Sequence, residues 1–336
     1  MNSKIIEIKS VPTNVITGFL GVGKTSAILH LLKEKPQNEH WAVLVNEFGE
    51  IGVDGSILEG QYTEQQGVFI REVPGGCMCC AAGVPMQVAL NQLLTRAKPD
   101  RLLIEPTGLG HPKEVLQVLS TQHYQKVLLL QKTLTLVDAR NLSDERYTTH
   151  DTFNQQISVA DIIIGNKLDL YQKGDKTKLI TYVKKLGKPD AQVAFAKHGE
   201  ISLSLLAGST TNLLASFPHK HHQHKSNNKV LASEASIPNS VFIKAINEGQ
   251  GYISTGWRFS YNTLFNYKKL LSFLTSIEAL RIKAVFITDK GSFSYNIADN
   301  STIEEQHNNA VESRIEIIAE QTIDSWEASL IACIVS

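Results

Sequence analysis

The chain has 336 residues, more than a typical single domain, and its 42% hydrophobic content is enough to build a core in each of two. Lys plus Arg and Asp plus Glu both number 33, so the net charge of zero offers neither a general nucleic-acid footprint nor a polybasic membrane patch, and small molecules or proteins are the expected partners. The first eight residues lack the apolar run of a signal peptide and no stretch approaches the ~18 apolar residues of a membrane span, which places the chain in the cytoplasm as an expectation and argues against a disulfide framework for its four cysteines.

The first predicted element is a buried strand over Val11–Thr17, and Ser26–Lys33 has helical spacing. Between them Gly18-Phe19-Leu20-Gly21-Val22-Gly23-Lys24-Thr25 fits the phosphate-loop pattern G-x-x-x-x-G-K-S/T at every specified position. Its chemistry follows from its composition. Gly18, Gly21 and Gly23 let the backbone N–H groups around Val22 turn inward on a di- or triphosphate, and the helix start at Thr25 and Ser26 adds partial positive charge. Lys24 reaches the outer phosphates and the Thr25 hydroxyl ligates Mg²⁺.

A second strand, Trp41–Val45, delivers the chain into Asn46-Glu47-Phe48-Gly49-Glu50-Ile51-Gly52-Val53-Asp54, a polar loop at the strand edge where open α/β sheets bind ligands. Glu47 and Asp54 lie where a switch segment would, each able to touch Mg²⁺ or a second metal ion, or to be a solvated loop carboxylate. A short strand, Val68–Val73, runs into Gly76-Cys77-Met78-Cys79-Cys80, and Pro85–Ala97 reads as a helix. Arg101–Glu105 is an apolar strand ending in an acid, the Walker B arrangement, so Glu105 is the choice for organising Mg²⁺ and the attacking water rather than merely capping a helix. His111, close behind, is more ordinarily a surface histidine than a phosphate contact.

Further strands over Lys132–Asp138 and Ala160–Gly165 follow, the second emptying into Asn166-Lys167-Leu168-Asp169. In that pattern the Asp169 carboxylate accepts from the N1–H and exocyclic amine of guanine, which selects GTP over ATP. The pair Ala196-Lys197, after Gln192–Phe195, offers a further base contact. Strands alternating with helices over some 200 residues imply a parallel, doubly wound sheet.

Phe217–Lys229 is polar and carries four of the chain's eleven histidines, His219, His221, His222 and His224, and reads as a linker able to collect metal in several arrangements. Beyond it strands are predicted over Ser240–Ile246, Gly256–Ser260, Arg281–Thr288, Gly291–Asn296, Glu312–Ile318 and Ser329–Val335, with one helix over Asn262–Ser276. Trp257, Phe259, Phe286, Phe293 and Cys333 are expected in its core. The expected division is a nucleotide domain over 1–216, a His-rich linker over 217–238, and a smaller α+β domain with a largely antiparallel sheet over 239–336.

Three cysteines within Cys77–Cys80, on a glycine-led loop, can point several thiolates at one ion, and soft sulfur suits Zn²⁺ or Cu(I). Inert core cysteines are the bland alternative, and a polar loop is a poor place for them. Three sulfurs leave a tetrahedral ion one ligand short, to be filled by water, Glu47 or a histidine, and an incomplete shell suits transfer better than permanent structure.

Together Gly18–Thr25, Asn46–Glu50 with Asp54, Gly76–Cys80, Glu105-Pro106-Thr107-Gly108 and Asn166–Asp169 resemble the CobW-type P-loop GTPases. That group includes zinc metallochaperones, cobalamin-biosynthesis proteins and relatives of the urease and hydrogenase nickel-insertion GTPases. The resemblance implies a GTPase using Mg²⁺, whose hydrolysis is coupled to delivery of a transition metal, zinc first, to a client metalloprotein. It also implies a CobW-type C-terminal domain. There the chain has Arg281-Ile282-Lys283-Ala284 where the group's pattern ends in glycine, which bears on a local turn. No arginine finger or catalytic glutamine is evident, so unaided hydrolysis is expected to be slow, with a client or a second copy in a homo-oligomer supplying the missing charge. Competing readings are metal storage or sensing with a structural nucleotide, and cobalt delivery in cobalamin synthesis.

Overall fold

A computed structural model of the chain describes residues 10–46, 53, 62–73, 84–211, 242–249, 251–298, 301–307, 310 and 312–335. They fall into two compact units, each with its own sheet.

In the first unit the chain runs β1 (Val11–Gly18), α1 (Lys24–Lys33), β2 (Trp41–Asn46), β3 (Val68–Val73), α2 (Val84–Ala97), β4 (Arg101–Glu105), α3 (Pro112–Leu119), α4 (Gln122–Gln125), β5 (Leu128–Leu130), β6 (Leu134–Asp138), α5 (Glu145–Thr148), α6 (Asp151–Val159), β7 (Ile162–Asn166), α7 (Asp175–Leu186) and β8 (Gln192–Phe195). The sheet order is β3-β2-β4-β1-β6-β7-β8, with β5 also paired to β1. All pairings of β1, β4, β6 and β7 are parallel. The strands β2, β6 and β7 are buried at every position, so both faces of the sheet are covered, and continuous Val/Ile/Leu runs are the composition this requires. On one face Val15, Leu44, Leu102 and Ile104 pack with Leu90 and Leu94 of α2 and Leu116 of α3.

Register decides what meets at the sheet's C-terminal edge. Gly18 pairs with Leu136, Val45 with Glu105, and Asp138 with Asn166, so the phosphate loop, the Walker B acid and the base motif all leave the sheet on that edge. The doubly wound parallel sheet expected from the alternation is therefore present. The strand β5, three residues long, carries too little pattern to be predicted.

The second unit contains β9 (Phe242–Gly249), β10 (Tyr252–Phe259), α8 (Tyr267–Ser276), β11 (Arg281–Thr288), β12 (Gly291–Ala298), β13 (Ser301–His307), β14 (Ser313–Ala319) and α9 (Ser325–Ile331). Its sheet is antiparallel in every pairing, in the order β13-β12-β11-β14-β10-β9. Trp257, Phe259, Ile282, Ala284, Phe286, Ile315 and Ile317 alternate onto one face and form a core with Leu270, Leu274, Trp326 and Leu330 of the two helices. The other face carries buried polar residues, and the Ser254 hydroxyl donates to Glu316 at 2.7 Å.

Three expectations for this unit need correction. Ser329–Val335 is no strand: α9 ends at Ile331, because Trp326, Leu330 and Cys333 recur at helical spacing and bury one face. The preceding helix begins at Tyr267 rather than Asn262, since the Asn266 side chain accepts from the Lys269 amide at 3.0 Å and caps it there. Ala284 occupies no turn; it is buried in mid-strand, opposite Tyr295 and Ile315, where its Cβ packs and a glycine would leave space. Cys333 lies in the core as expected, in the turn after α9, and Trp257, Phe259 and Phe286 are buried with it, while Phe293 packs partly buried against the same cluster. The polar edge strand β13 was invisible because Thr302–Gln306 are all exposed and show no alternation.

Candidate nucleotide site

The phosphate loop arrives from β1, whose last residue, Gly18, ends the strand, and it enters α1 through Gly23, in a left-handed conformation with φ 94°. A Cβ at Gly23 would lie 2.6 Å from Asn166 Nδ2, so the position needs glycine both for its backbone angle and for the close approach of the base motif. The first turn of α1 contains no acidic residue and no side chain caps it, which leaves the helix start suited to an anion.

The Lys24 ammonium is buried and donates to the Phe19 carbonyl at 3.2 Å, folded back across its own loop. Thr25, the next residue, donates its hydroxyl to Glu105 Oε1 at 3.3 Å, and both residues are buried. A hydroxyl beside a carboxylate at a phosphate loop is an oxygen donor pair of the kind a hard divalent cation takes, so these residues fit Mg²⁺. Behind Glu105 the chain closes on the phosphate loop: a Cβ at Gly108 would lie 2.9 Å from the Leu20 amide nitrogen, and Gln156 of α6 donates to the Gly108 carbonyl at 2.9 Å. Phe19 is buried in an aromatic cluster, with ring centroids 5.4 Å from Tyr147, 4.9 Å from His150 and 6.0 Å from Phe153.

Asn166 is the hub between phosphate and base segments. Its Nδ2 donates to the Val22 carbonyl at 2.8 Å, and its Oδ1 accepts from the Gly199 amide at 3.1 Å, which draws in the loop after Ala196-Lys197. Lys167 follows in a left-handed conformation, φ 58°, with its ammonium 3.5 Å from the buried Asp138 carboxylate. Asp169 stands exposed on the short 3-10 turn that comes next. Tyr171 ends that turn, its hydroxyl accepting from the Ala139 amide at 3.0 Å, and burial pushes its phenol well above the ordinary range, so it is neutral at any working pH.

The structure thus assembles Gly18, Gly21, Val22, Gly23, Lys24, Thr25, Ser26, Glu105, Asn166 and Lys167 along one sheet edge. His111 sits half-buried at the head of α3 rather than on open surface. Glu47, Asp54, Cys77, Cys79, Cys80, His219, His221, His222 and His224 lie outside the described residues. Among those described, no group of three or more His, Cys, Asp or Glu side chains is placed to hold a metal, and no helix is long and apolar enough to cross a membrane. Sequence reading missed Asp138, Arg140 and Gly199. The signal for Asp138 was present, since Leu134-Thr-Leu-Val-Asp138 is an apolar strand ending in an acid, as Arg101–Glu105 is.

A parallel sheet whose edge gathers a glycine loop, a Thr–carboxylate pair and a base motif is a P-loop nucleotide-binding unit. Residues 12–194 match the family described as CobW/HypB/UreG, nucleotide-binding domain, and the chain belongs to that family. It is 41% identical over 318 residues to zinc chaperone YeiR of Escherichia coli (strain K12), covering 94% of this chain and 95% of that protein. Zinc chaperone CobW of Pseudomonas aeruginosa is 26% identical over 246 residues, 65% of each chain. The Zn(II)-bound YjiA GTPase from E. coli, a solved structure, aligns over 96% of this chain and 99% of that one at 20% identity, with a TM-score of 0.45.

Proposed function

We propose that the chain is a cytoplasmic GTP-hydrolysing metallochaperone, which couples GTP binding and hydrolysis to delivery of a transition metal, zinc, to a client metalloprotein. The observation that carries the nucleotide half is the Asn166 hub: one buried side chain bonded to the phosphate loop on one side and to the base-side loop on the other. Zinc is supported by the relatives named zinc chaperone, one of them matched over nearly its full length.

In this reading the N–H groups of Gly21 to Ser26 and the Lys24 ammonium, released from the Phe19 carbonyl, hold the phosphates. Asp169 reads the guanine edge. Thr25 and Glu105, with Asp54, hold Mg²⁺, which when bound neutralises charge developing on the phosphates. Glu105 also orients water toward the outermost phosphate. Cys77, Cys79 and Cys80, with Glu47, carry the cargo ion, and the histidines at 219, 221, 222 and 224 gather more of it. The domain division at 1–216, 217–238 and 239–336 separates these tasks. A client or a second copy of the chain completes the hydrolytic site.

The test is steady-state phosphate release from GTP and from ATP with Mg²⁺, with and without Zn²⁺. GTP-selective turnover that changes on Zn²⁺ addition is expected. Equal rates with ATP would sink the guanine assignment, and turnover indifferent to Zn²⁺ would favour the storage reading.

A further inference from the structure

The helix α6 touches both the phosphate loop and the segment that follows the Walker B acid. Phe153 and Gln156, three residues apart and so neighbours on the helix surface, are both buried. The Phe153 ring stands 6.0 Å from that of Phe19 in the phosphate loop, and Gln156 Nε2 donates to the Gly108 carbonyl at 2.9 Å. The helix is tied to the sheet at that same residue, because the Thr135 hydroxyl of β6 donates to the Gln156 backbone carbonyl at 2.8 Å. Gly108 comes three residues after Glu105, whose carboxylate accepts from the Thr25 hydroxyl. It lies so close to the phosphate loop that an added Cβ would stand 2.7 Å from Leu20 Cδ2 and 2.9 Å from the Leu20 amide nitrogen. Pro106–Gly108 is therefore clamped between the phosphate loop and Gln156, and among the described residues no other side chain from outside the segment is hydrogen-bonded to it.

Gln156 is 1% exposed, and its Oε1 has no partner among the described residues. A buried amide left half satisfied destabilises a fold, and an apolar side chain of the same length would fill the space without that cost. What Gln156 adds over such a side chain is the bond to Gly108. We propose that Gln156 is a positioning residue for the outermost phosphate: without touching the nucleotide, it holds the Gly108 peptide against Leu20 and so keeps Glu105–Gly108 within reach of a third phosphate. A diphosphate held by Gly21 to Ser26 ends short of that segment, so only a triphosphate depends on where the segment lies. The inference rests on the GTPase reading above and adds a residue outside its motifs.

The test uses the full chain with Mg²⁺ and measures GDP and non-hydrolysable GTP analogue binding by competition against a fluorescent GDP analogue. Gln156→Met keeps length and apolar bulk but removes the donor, so affinity for the GTP analogue should fall about tenfold, as expected when a buried carbonyl loses its partner. GDP affinity should stay within about twofold. A general loosening of the fold would weaken both ligands alike, so equal losses would reduce Gln156 to a packing role and overturn the proposal, as would two unchanged affinities. Should Gln156→Met fail to fold, Gln156→Asn decides, because its amide stops a methylene short of the Gly108 carbonyl: a narrowed preference for the triphosphate supports the proposal and an unchanged one overturns it. A wild-type chain that binds neither guanine nucleotide would overturn the GTPase reading itself, and this inference with it.

Discussion

Single atoms decide what the phosphate loop tolerates. At Gly23 both the left-handed φ and the 2.6 Å approach of Asn166 Nδ2 forbid a Cβ, so Gly23→Ala must push Asn166 off the Val22 carbonyl. The strain of a left-handed alanine and the lost bond each cost about 1 kcal/mol, so GDP affinity should drop about 10- to 100-fold while far-UV circular dichroism stays native. Native affinity in that variant would show that the hub is not needed for binding. Why Gly23 and Asn166 touch is not readable from either motif alone. Each announces its own ligand chemistry through residue type and spacing, but the distance between them is set by parallel pairing of β1, β6 and β7 across more than a hundred residues of chain. Asp138 shows in the sequence as an acid ending an apolar strand, but its contact with Lys167 forms only when β6 and β7 lie side by side.

At the scale of elements, the start of β7 is fixed by Asp161, whose carboxylate accepts from Lys188 at 2.6 Å, Thr210 at 2.6 Å and the Thr133 amide at 2.8 Å. Burial pushes this carboxyl up, but the Lys188 ammonium and the surrounding donors outweigh it and hold the group below its ordinary 3.8. A depressed folded value means that the stabilisation is complete above about pH 4 and lost as pH falls through the folded value. Asp161→Asn should therefore lower the thermal midpoint at neutral pH and flatten its acid limb below about pH 4, read by scanning calorimetry. An acid limb as steep as wild type would remove Asp161 from the account.

The helix at α9 supplies a second test of an element. Leu330 is fully buried and Ile331, its neighbour, is 40% exposed, so Leu330→Ala should cost about 2–5 kcal/mol in denaturant unfolding and Ile331→Ala about 0.5 or less. Ser329–Val335 reads as a strand because its last six residues are all apolar, a run too continuous for period 2 and period 3.6 to be separated. What settles the choice is Trp326, one turn earlier, which lies outside the stretch whose pattern was read.

For the whole molecule, the prediction is linkage between cargo and nucleotide. The strands β2 and β3, from which the chain runs on past Val45 and Val73, are neighbours in the sheet. If an ion bound by Cys77, Cys79 and Cys80 gains or loses Glu47 with nucleotide state, its affinity changes by about 10- to 100-fold, and reciprocity requires Zn²⁺ to shift GTP affinity by the same factor. Calorimetric Zn²⁺ titrations of the nucleotide-free, GDP and non-hydrolysable-GTP forms should differ, and replacing all three cysteines by serine should abolish the difference while GTP still binds. Three identical isotherms would end the coupling idea. Architecture was the most legible level: strand–loop–helix alternation, the change of composition near Phe217 and the motif order all follow from local pattern, and the parallel and antiparallel sheets are the ones that pattern implies.

The aromatic wedge at Phe19 has a kinetic consequence. With its ring seated among Tyr147, His150 and Phe153, the phosphate loop is braced from behind by core packing and need not wait for a ligand to acquire its shape. A preshaped receptor captures on encounter, so nucleotide association should be a single phase, linear in concentration, and little slowed by cooling. Phe19→Ala removes the brace. Stopped-flow traces for that variant should gain a concentration-independent step, as loop ordering begins to limit the rate, and traces that remain linear would show that the loop keeps its shape without the wedge.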